Sequence, residues 1–154
     1  MVRVLVLAAA VAALVVGATL AQARERPRPL PGLPAYTAGY KGWIKLNVKP
    51  IPPRRSDDAH FGTKNVYASR RIVGRRYPVG TVIVKEIIRP GERFVGVVAT
   101  MLKARPSSAP NNGWRMIEYD RRSIGGRFRL LAQGSICTSC HVQAKANDYV
   151  FTKR

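Results

Sequence analysis

The stretch Cys137–Thr152 reads CTSCHVQAKANDYVFT and holds the only two cysteines of the chain. Two residues separate the thiols, and His141 directly follows the second one. On one helical turn, thiols at this spacing can each bond to a vinyl group of the same porphyrin, and the next imidazole can reach the iron. The stretch therefore predicts one covalently attached haem c on Cys137 and Cys140, with His141 as an iron ligand.

Three other uses of paired cysteines are weaker interpretations. A disulfide across two intervening residues closes a very small loop, so it would add little stability. A structural zinc site needs about four protein ligands, and His60 is the only other histidine available to support it. A thioredoxin-like dithiol belongs to a βαβ setting, whereas this pair follows a series of short strand-like segments.

The N-terminus has the pattern of an export signal. Arg3 is followed by an unbroken run of apolar and small residues from Val4 to Leu20, and then by Ala21-Gln22-Ala23. This small-x-small pattern is typical of a signal-peptidase site. We expect residues 1–23 to be a cleaved signal peptide and the mature protein to be periplasmic. An uncleaved membrane anchor is the alternative.

The charge is strongly basic, with 27 Lys and Arg against 8 Asp and Glu, a formal net charge of +19. Such a surface attracts acidic partners, and an acidic redox protein is the partner that a haem protein would need. The basic residues are spread along the chain, no nucleic-acid-binding motif is present, and an exported protein rarely meets nucleic acid. We therefore expect no nucleic-acid partner.

The body of the chain has the pattern of an antiparallel β domain. Residues 24–34 (RERPRPLPGLP) are rich in Pro and Arg and are expected to form an extended linker before a haem domain at residues 35–154. Short segments of strand composition then follow one another between turn residues. The predicted strands lie at 43–48, 64–69, 81–88, 94–103 and 114–120, with a segment of uncertain type at 127–133. A short helix from about Ser135 to Asn147 would carry the cysteines, which gives a mainly β (α+β) fold.

The sequence resembles the cytochrome P-460 family, which includes the β-sheet cytochromes c′-beta. The resemblance extends from about Tyr36 to Lys153, and the Cys-x-x-Cys-His motif followed by Lys-x-x-Asp-Tyr-Val-Phe-Thr is its most specific part. Its pieces are HFGTKNVYAS (60–69), YPVGTVIVKE (77–86), VVATMLKARP (97–106), NNGWRMIEYD (111–120) and CTSCHVQAKANDYVFT (137–152).

The resemblance implies an antiparallel β fold, often homodimeric, with one haem c, His141 as the proximal ligand and an open distal site. It also implies one of two functions. Cytochromes P-460 proper oxidise hydroxylamine or nitric oxide and have a lysine bonded to the haem edge. Cytochromes c′-beta lack that bond and bind gases such as nitric oxide.

The resemblance places the family lysine at Lys85, which becomes the candidate haem-bonded and catalytic residue. On a strand Lys85 shares a face with Ile83 and Ile87, and a lysine on an apolar face is unusual. A lysine that extends to solvent from the rim of a sheet is the alternative.

The distal side of the haem is less well defined. The resemblance implies a carboxylate that accepts a proton in the hydroxylamine-oxidising members, at a position near Val98, where the run FVGVVATML contains no acid. Glu86 or Glu118 could replace it only if the fold directs them to the pocket.

Other residues are candidates for the remaining faces of the haem. Candidates for a second axial ligand are Met101, Met116 and His60, and candidates for an apolar pocket are Phe61, Phe94 and Met101. Packing in the core is the alternative for the methionines and phenylalanines.

Overall fold

The computed structural model describes residues 26–54, 59–105 and 111–152. The predicted signal peptide at residues 1–23 lies outside the described residues. Six strands form one antiparallel sheet in which the spatial order follows the chain order. The strands are β1 (Ile44–Lys45), β2 (Thr63–Ala68), β3 (Val82–Ile88), β4 (Val97–Lys103), β5 (Trp114–Asp120) and β6 (Arg129–Gln133).

The sheet ends in a short helical segment. Helix α1 (Ser135–His141) is separated from β6 by the single residue Gly134 and continues into a 3₁₀ segment, Val142–Asn147. The prediction of a mainly β fold with a short C-terminal helix is confirmed. The segment of uncertain type at 127–133 contains the edge strand β6. None of the helices among the described residues is long and apolar enough to cross a membrane.

The central strands are buried on both faces. In β3, Val82 and Val84 lie on one face and Ile83 and Ile87 on the other, and all four are buried. Side chains alternate between the faces of a strand, so a nearly continuous apolar run requires a covering layer on each side.

One face is covered by the C-terminal segment. Here Tyr149 and Val150 pack with the buried side chains of β2–β5, and Cys137 of α1 packs against them. We call this group the helix-side cluster. Its buried members are Leu46, Val66, Ala68, Tyr77, Ile83, Met101, Trp114, Met116, Tyr149 and Val150.

The opposite face is covered by the segment that precedes the sheet. Leu33 and Tyr40 are buried against Val84, Val98 and Phe128 in a second group, the N-terminal cluster. The proline-rich residues 26–34 contain no helix or strand, but Leu33 packs against the sheet. Pro31 also accepts a hydrogen bond at 2.8 Å from the amide of Phe128, the residue before β6. Of the strand predicted at 43–48, only Ile44–Lys45 pairs as a regular strand.

Candidate haem site

Helix α1 presents the two cysteines and the histidine of the motif together. Cys137 is half-buried, Cys140 is exposed and His141 is buried, and both thiols are free rather than joined in a disulfide. Residues three apart lie on the same side of a helix. Both thiols are therefore available on one turn, as attachment to a single porphyrin requires.

His141 is held in the tautomer that suits a metal ligand. Its Nδ1–H donates a hydrogen bond to the carbonyl oxygen of Tyr149 at 2.7 Å. A carbonyl can only accept, so the proton lies on Nδ1 and the lone pair of Nε2 is free for coordination.

The environment of His141 also favours its neutral form. Burial lowers its pKa below the ordinary value for histidine, the hydrogen bond to Tyr149 opposes this shift, and the positive charge of Lys85 adds to it. A neutral imidazole is the form that binds iron. The donor set and its protonation therefore fit a haem ligated at His141.

The register of the sheet brings two charged residues to the same face. Lys85 of β3 pairs with Ala99 of β4, and Ala99 pairs with Glu118 of β5. Directly paired residues lie on the same face, and Ala99 has the smallest side chain of the three. Lys85 and Glu118 therefore flank a shallow position on the helix-side face.

Glu118 is close to the helical turn that carries the Cys-x-x-Cys-His motif. Burial raises the pKa of the Cys137 thiol, and the negative charges of Glu118 and Cys140 raise it further. Glu118 is itself buried. Trp114, Met116 and Glu118 are buried at every second position of β5, and this period of two indicates that they share one face.

His60 connects Lys85 and Glu118. Its Nδ1 lies 3.1 Å from Lys85 Nζ, and its Nε2 lies 3.6 Å from Glu118 Oε1. The His60 ring centre is 6.5 Å from that of His141. We call His60, Lys85 and Glu118 the polar triad. It lies beside the motif histidine although its members come from distant parts of the sequence.

A glycine allows His60 to reach this position. Gly62 has φ of +143°, and a Cβ there would lie 2.4 Å from the carbonyl oxygen of Ile88. Only glycine tolerates this approach. The chain therefore passes close to the end of β3 and places His60 over the helix-side face before it enters β2.

Val98 itself does not face the motif. Val98 is fully buried in the N-terminal cluster, on the face away from α1. It pairs with Glu86, which shares that opposite face and accepts hydrogen bonds from Tyr40 at 2.6 Å and Tyr67 at 3.3 Å. An acid at position 98 would not reach the motif, and Glu86 does not either.

The apolar candidates divide between the two faces. Met101 and Met116 are paired across β4 and β5 and lie in the helix-side cluster with Cys137. Phe61 is half-buried beside His60. Phe94 lies near Arg121, whose guanidinium also stacks on Phe128 of the N-terminal cluster, so Phe94 groups with the opposite face.

A resident metal ion bound by side chains alone has no support in this arrangement. Within residues 26–54, 59–105 and 111–152, no three His, Cys, Asp or Glu side chains are grouped so that they could hold one.

Comparison with known protein families shows to which family the chain belongs. The sequence model described as Cytochrome P460 matches residues 37–152. The chain belongs to the cytochrome P460 family. A search of curated proteins found no match.

Membership in the cytochrome P460 family identifies the protein as a haem cytochrome of the c type. The cofactor is therefore haem, with iron as its metal. In this cytochrome P460 protein, α1 with Cys137, Cys140 and His141 is the part of the structure whose chemistry fits the cofactor, and the polar triad is the group of titratable side chains beside it.

Proposed function

We propose that this protein is an exported cytochrome with one haem c that oxidises a small nitrogen species, hydroxylamine or nitric oxide. The observation that carries the proposal is the presence of Glu118 and Lys85 on the same sheet face as His141, with His60 between them. The haem supplies a redox-active iron that binds the nitrogen compound and accepts its electrons. The chain supplies attachment, orientation and proton transfer.

Attachment falls to α1. Cys137 and Cys140 form thioethers with the porphyrin, and His141 ligates the iron through Nε2. The hydrogen bond from His141 Nδ1–H to Tyr149 fixes the plane of the imidazole, so the ligand does not have to be reoriented when iron is bound.

Glu118 is the proton acceptor in this proposal. Oxidation of hydroxylamine releases protons, and a carboxylate on this face is a suitable acceptor. Lys85 Nζ lies 3.1 Å from His60 Nδ1 and donates an N–H to it, either as an ammonium group or as the amine that a bond to the haem leaves. The hydrogen of His60 is then on Nε2, directed towards Glu118 Oε1. At 3.6 Å this contact is longer than a hydrogen bond, so His60 does not prevent Glu118 Oε1 from accepting a proton.

The localisation and partners follow from the sequence and from the cofactor. Residues 1–23 direct export, and covalent haem attachment takes place in the periplasm. The net charge of +19 attracts an acidic redox partner. The resemblance to homodimeric relatives makes a homodimer the expected assembly. N-terminal sequencing of the protein from a periplasmic fraction should begin at Arg24, and a sequence that begins at Met1 would contradict export by cleavage.

The proposed function is tested by measuring the catalytic oxidation of hydroxylamine. Haem-loaded protein, made in a host that matures c-type cytochromes, is mixed with hydroxylamine and an artificial electron acceptor, and reduction of the acceptor is followed. We expect catalytic turnover. If fully haem-loaded protein shows none, the enzymatic proposal is wrong.

The second candidate is a non-catalytic protein of the cytochrome c′-beta type that binds nitric oxide or relays electrons. The apolar residues next to Lys85 favour it, since Ile83 and Ile87 are buried on the same face of β3 and Val66, also buried, pairs with Lys85 across β2. Binding of nitric oxide to the ferrous protein in the absence of hydroxylamine turnover would select this candidate.

The state of Lys85 separates the two candidates chemically. In the enzymatic proposal, its Nζ is bonded to the haem, so a tryptic haem peptide contains the Lys85 segment as well as the Cys137–Cys140 segment. The Soret band of the reduced protein should then be strongly red-shifted from that of ordinary ferrous haem c. The Lys85→Arg variant should lose both features, as measured by peptide mass and absorption.

The matched control is Lys64→Arg, because Lys64 is a buried lysine on the neighbouring strand. It should retain the wild-type spectrum. A wild-type haem peptide that contains the cysteine segment alone would exclude the bond and favour gas binding.

A further inference from the structure

Lys103 and Asp148 form a buried ion pair that is separate from the polar triad. Asp148 directly precedes Tyr149, whose carbonyl oxygen accepts the hydrogen bond from His141. Lys103 Nζ lies 2.7 Å from Asp148 Oδ1, and the two side chains are 2% and 0% exposed. Burial of two charges costs free energy that only good geometry and further hydrogen bonds offset.

The carboxylate of Asp148 has these additional hydrogen bonds. The Tyr77 amide donates to Oδ2 at 2.8 Å, and Asn112 Nδ2 donates to Oδ1 at 2.9 Å. The Lys103 ammonium also lies 4.8 Å from the centre of the Trp114 ring. Asp148 is thus fixed to β4, to the loop before β3 and to the start of β5.

The backbone of Asp148 is fixed as well. Its carbonyl oxygen accepts a hydrogen bond from Trp114 Nε1–H at 2.8 Å. The next amide, that of Tyr149, donates to the carbonyl of Ala144 at 2.9 Å. The sheet therefore holds the turn both through the side chain and through the main chain.

The turn adopts a conformation that the chain would not adopt alone. Asp148 and Tyr149 both have positive φ, +50° and +66°. Left-handed conformations are unfavourable for side chains with a Cβ, most of all for bulky ones, and they persist only where surrounding contacts enforce them. This conformation directs the carbonyl oxygen of Tyr149 at His141 Nδ1, 2.7 Å away.

We propose that Lys103 and Asp148 are positioning residues that hold the Tyr149 carbonyl on the Nδ1–H of His141 and thereby set the electron donation of this imidazole to the haem iron. A hydrogen bond from Nδ1–H increases the basicity of the ligating nitrogen. A firmly held carbonyl therefore strengthens the iron–histidine bond and favours the oxidised iron. The inference rests on the proposed role of His141 as the iron ligand and goes beyond it to how the ligand is tuned.

The test compares holoproteins by two readouts that do not depend on turnover. The double variant Lys103→Met/Asp148→Asn removes both charges without leaving one of them buried alone. We expect a lower iron–histidine stretching frequency in the resonance Raman spectrum of the ferrous protein and a more positive reduction potential. Asp120→Asn is the matched control, since it breaks the Arg89–Asp120 contact of 3.6 Å at the other end of β5, and it should change neither readout.

A milder variant covers the case in which the double variant does not fold. Asn112→Gly removes one hydrogen bond to Asp148 and keeps the positive φ of +51° that this position requires. We expect shifts in the same directions but smaller.

The proposal is overturned if the folded, haem-loaded double variant has the wild-type frequency and potential, or, where it does not fold, if Asn112→Gly has them. Failure of the underlying assignment is distinguishable, because a wild-type iron–histidine band that disappears in the His60→Gln variant belongs to His60 and not to His141. A lack of hydroxylamine turnover leaves this test unaffected.

Discussion

Replacement of both Cys137 and Cys140 by serine is expected to abolish covalent haem attachment. Serine hydroxyls do not add to the porphyrin vinyl groups, and α1 offers no other thiol, because these two are the only cysteines in the chain. The haem would then be held only by His141 and by apolar contacts. After denaturation the variant polypeptide should carry no haem, as measured by intact mass and by haem staining on a denaturing gel.

The single variants and a control make this result specific. Cys137→Ser and Cys140→Ser should each retain haem through one thioether, with one vinyl group left in the pyridine haemochrome spectrum. Ser139→Ala is the matched control, because Ser139 lies between the cysteines on α1 and is exposed. It should carry haem as the wild type does. Covalent haem in the double serine variant would refute the attachment site.

Replacement of Glu118 by glutamine is expected to lower the rate of hydroxylamine oxidation by about 10²–10⁴-fold, the usual contribution of a general acid–base group. Glutamine is nearly isosteric but cannot accept the proton. Substrate binding at the iron should change little, so the loss should appear in kcat rather than in KM. The measurement is steady-state turnover with an artificial electron acceptor, at equal haem content.

Glu86→Gln is the control that the fold provides. Glu86 and Glu118 are both buried glutamates of the central sheet, but Glu86 faces the N-terminal cluster, where Tyr40 and Tyr67 donate to it. The variant should retain turnover even if it is less stable, because it loses an acceptor on the other face. Equal losses in the two variants would mean that Glu118 contributes to stability only.

Local patterns in the sequence account for much of this structure. The spacing of Cys137, Cys140 and His141 requires one helical turn, and Ser135–His141 is helical. The alternation around Lys85 predicts that it shares a face with Ile83 and Ile87, and the structure confirms this. Turn residues divide the chain into strands, although β1 and β4 are shorter than the strands predicted at 43–48 and 94–103. Strands that follow one another along the chain pair antiparallel. These features depend on neighbours within a few residues, which a sequence displays directly.

The sequence left open which side chains of different strands share a face. A shift of one residue moves a side chain to the other side of a sheet. The adjacent residues Val98 and Ala99 therefore contact different sets of side chains. Val98 pairs with Glu86 on the far face, whereas Ala99 lies between Lys85 and Glu118. The register decides this, and the register depends on the packing of both faces at once.

The sequence by itself determined the helical turn of the Cys-x-x-Cys-His motif, the antiparallel strands and the face of Lys85, because each rests on a local period. Only the tertiary structure decided that Glu118 and His60 join Lys85 beside His141, and that Lys103 meets Asp148 behind it. Lys103 and Asp148 are 45 residues apart. They are in contact because β4 and the segment after α1 both pack into the helix-side cluster. Contacts of this kind are set by the packing of the whole sheet, which no single segment encodes.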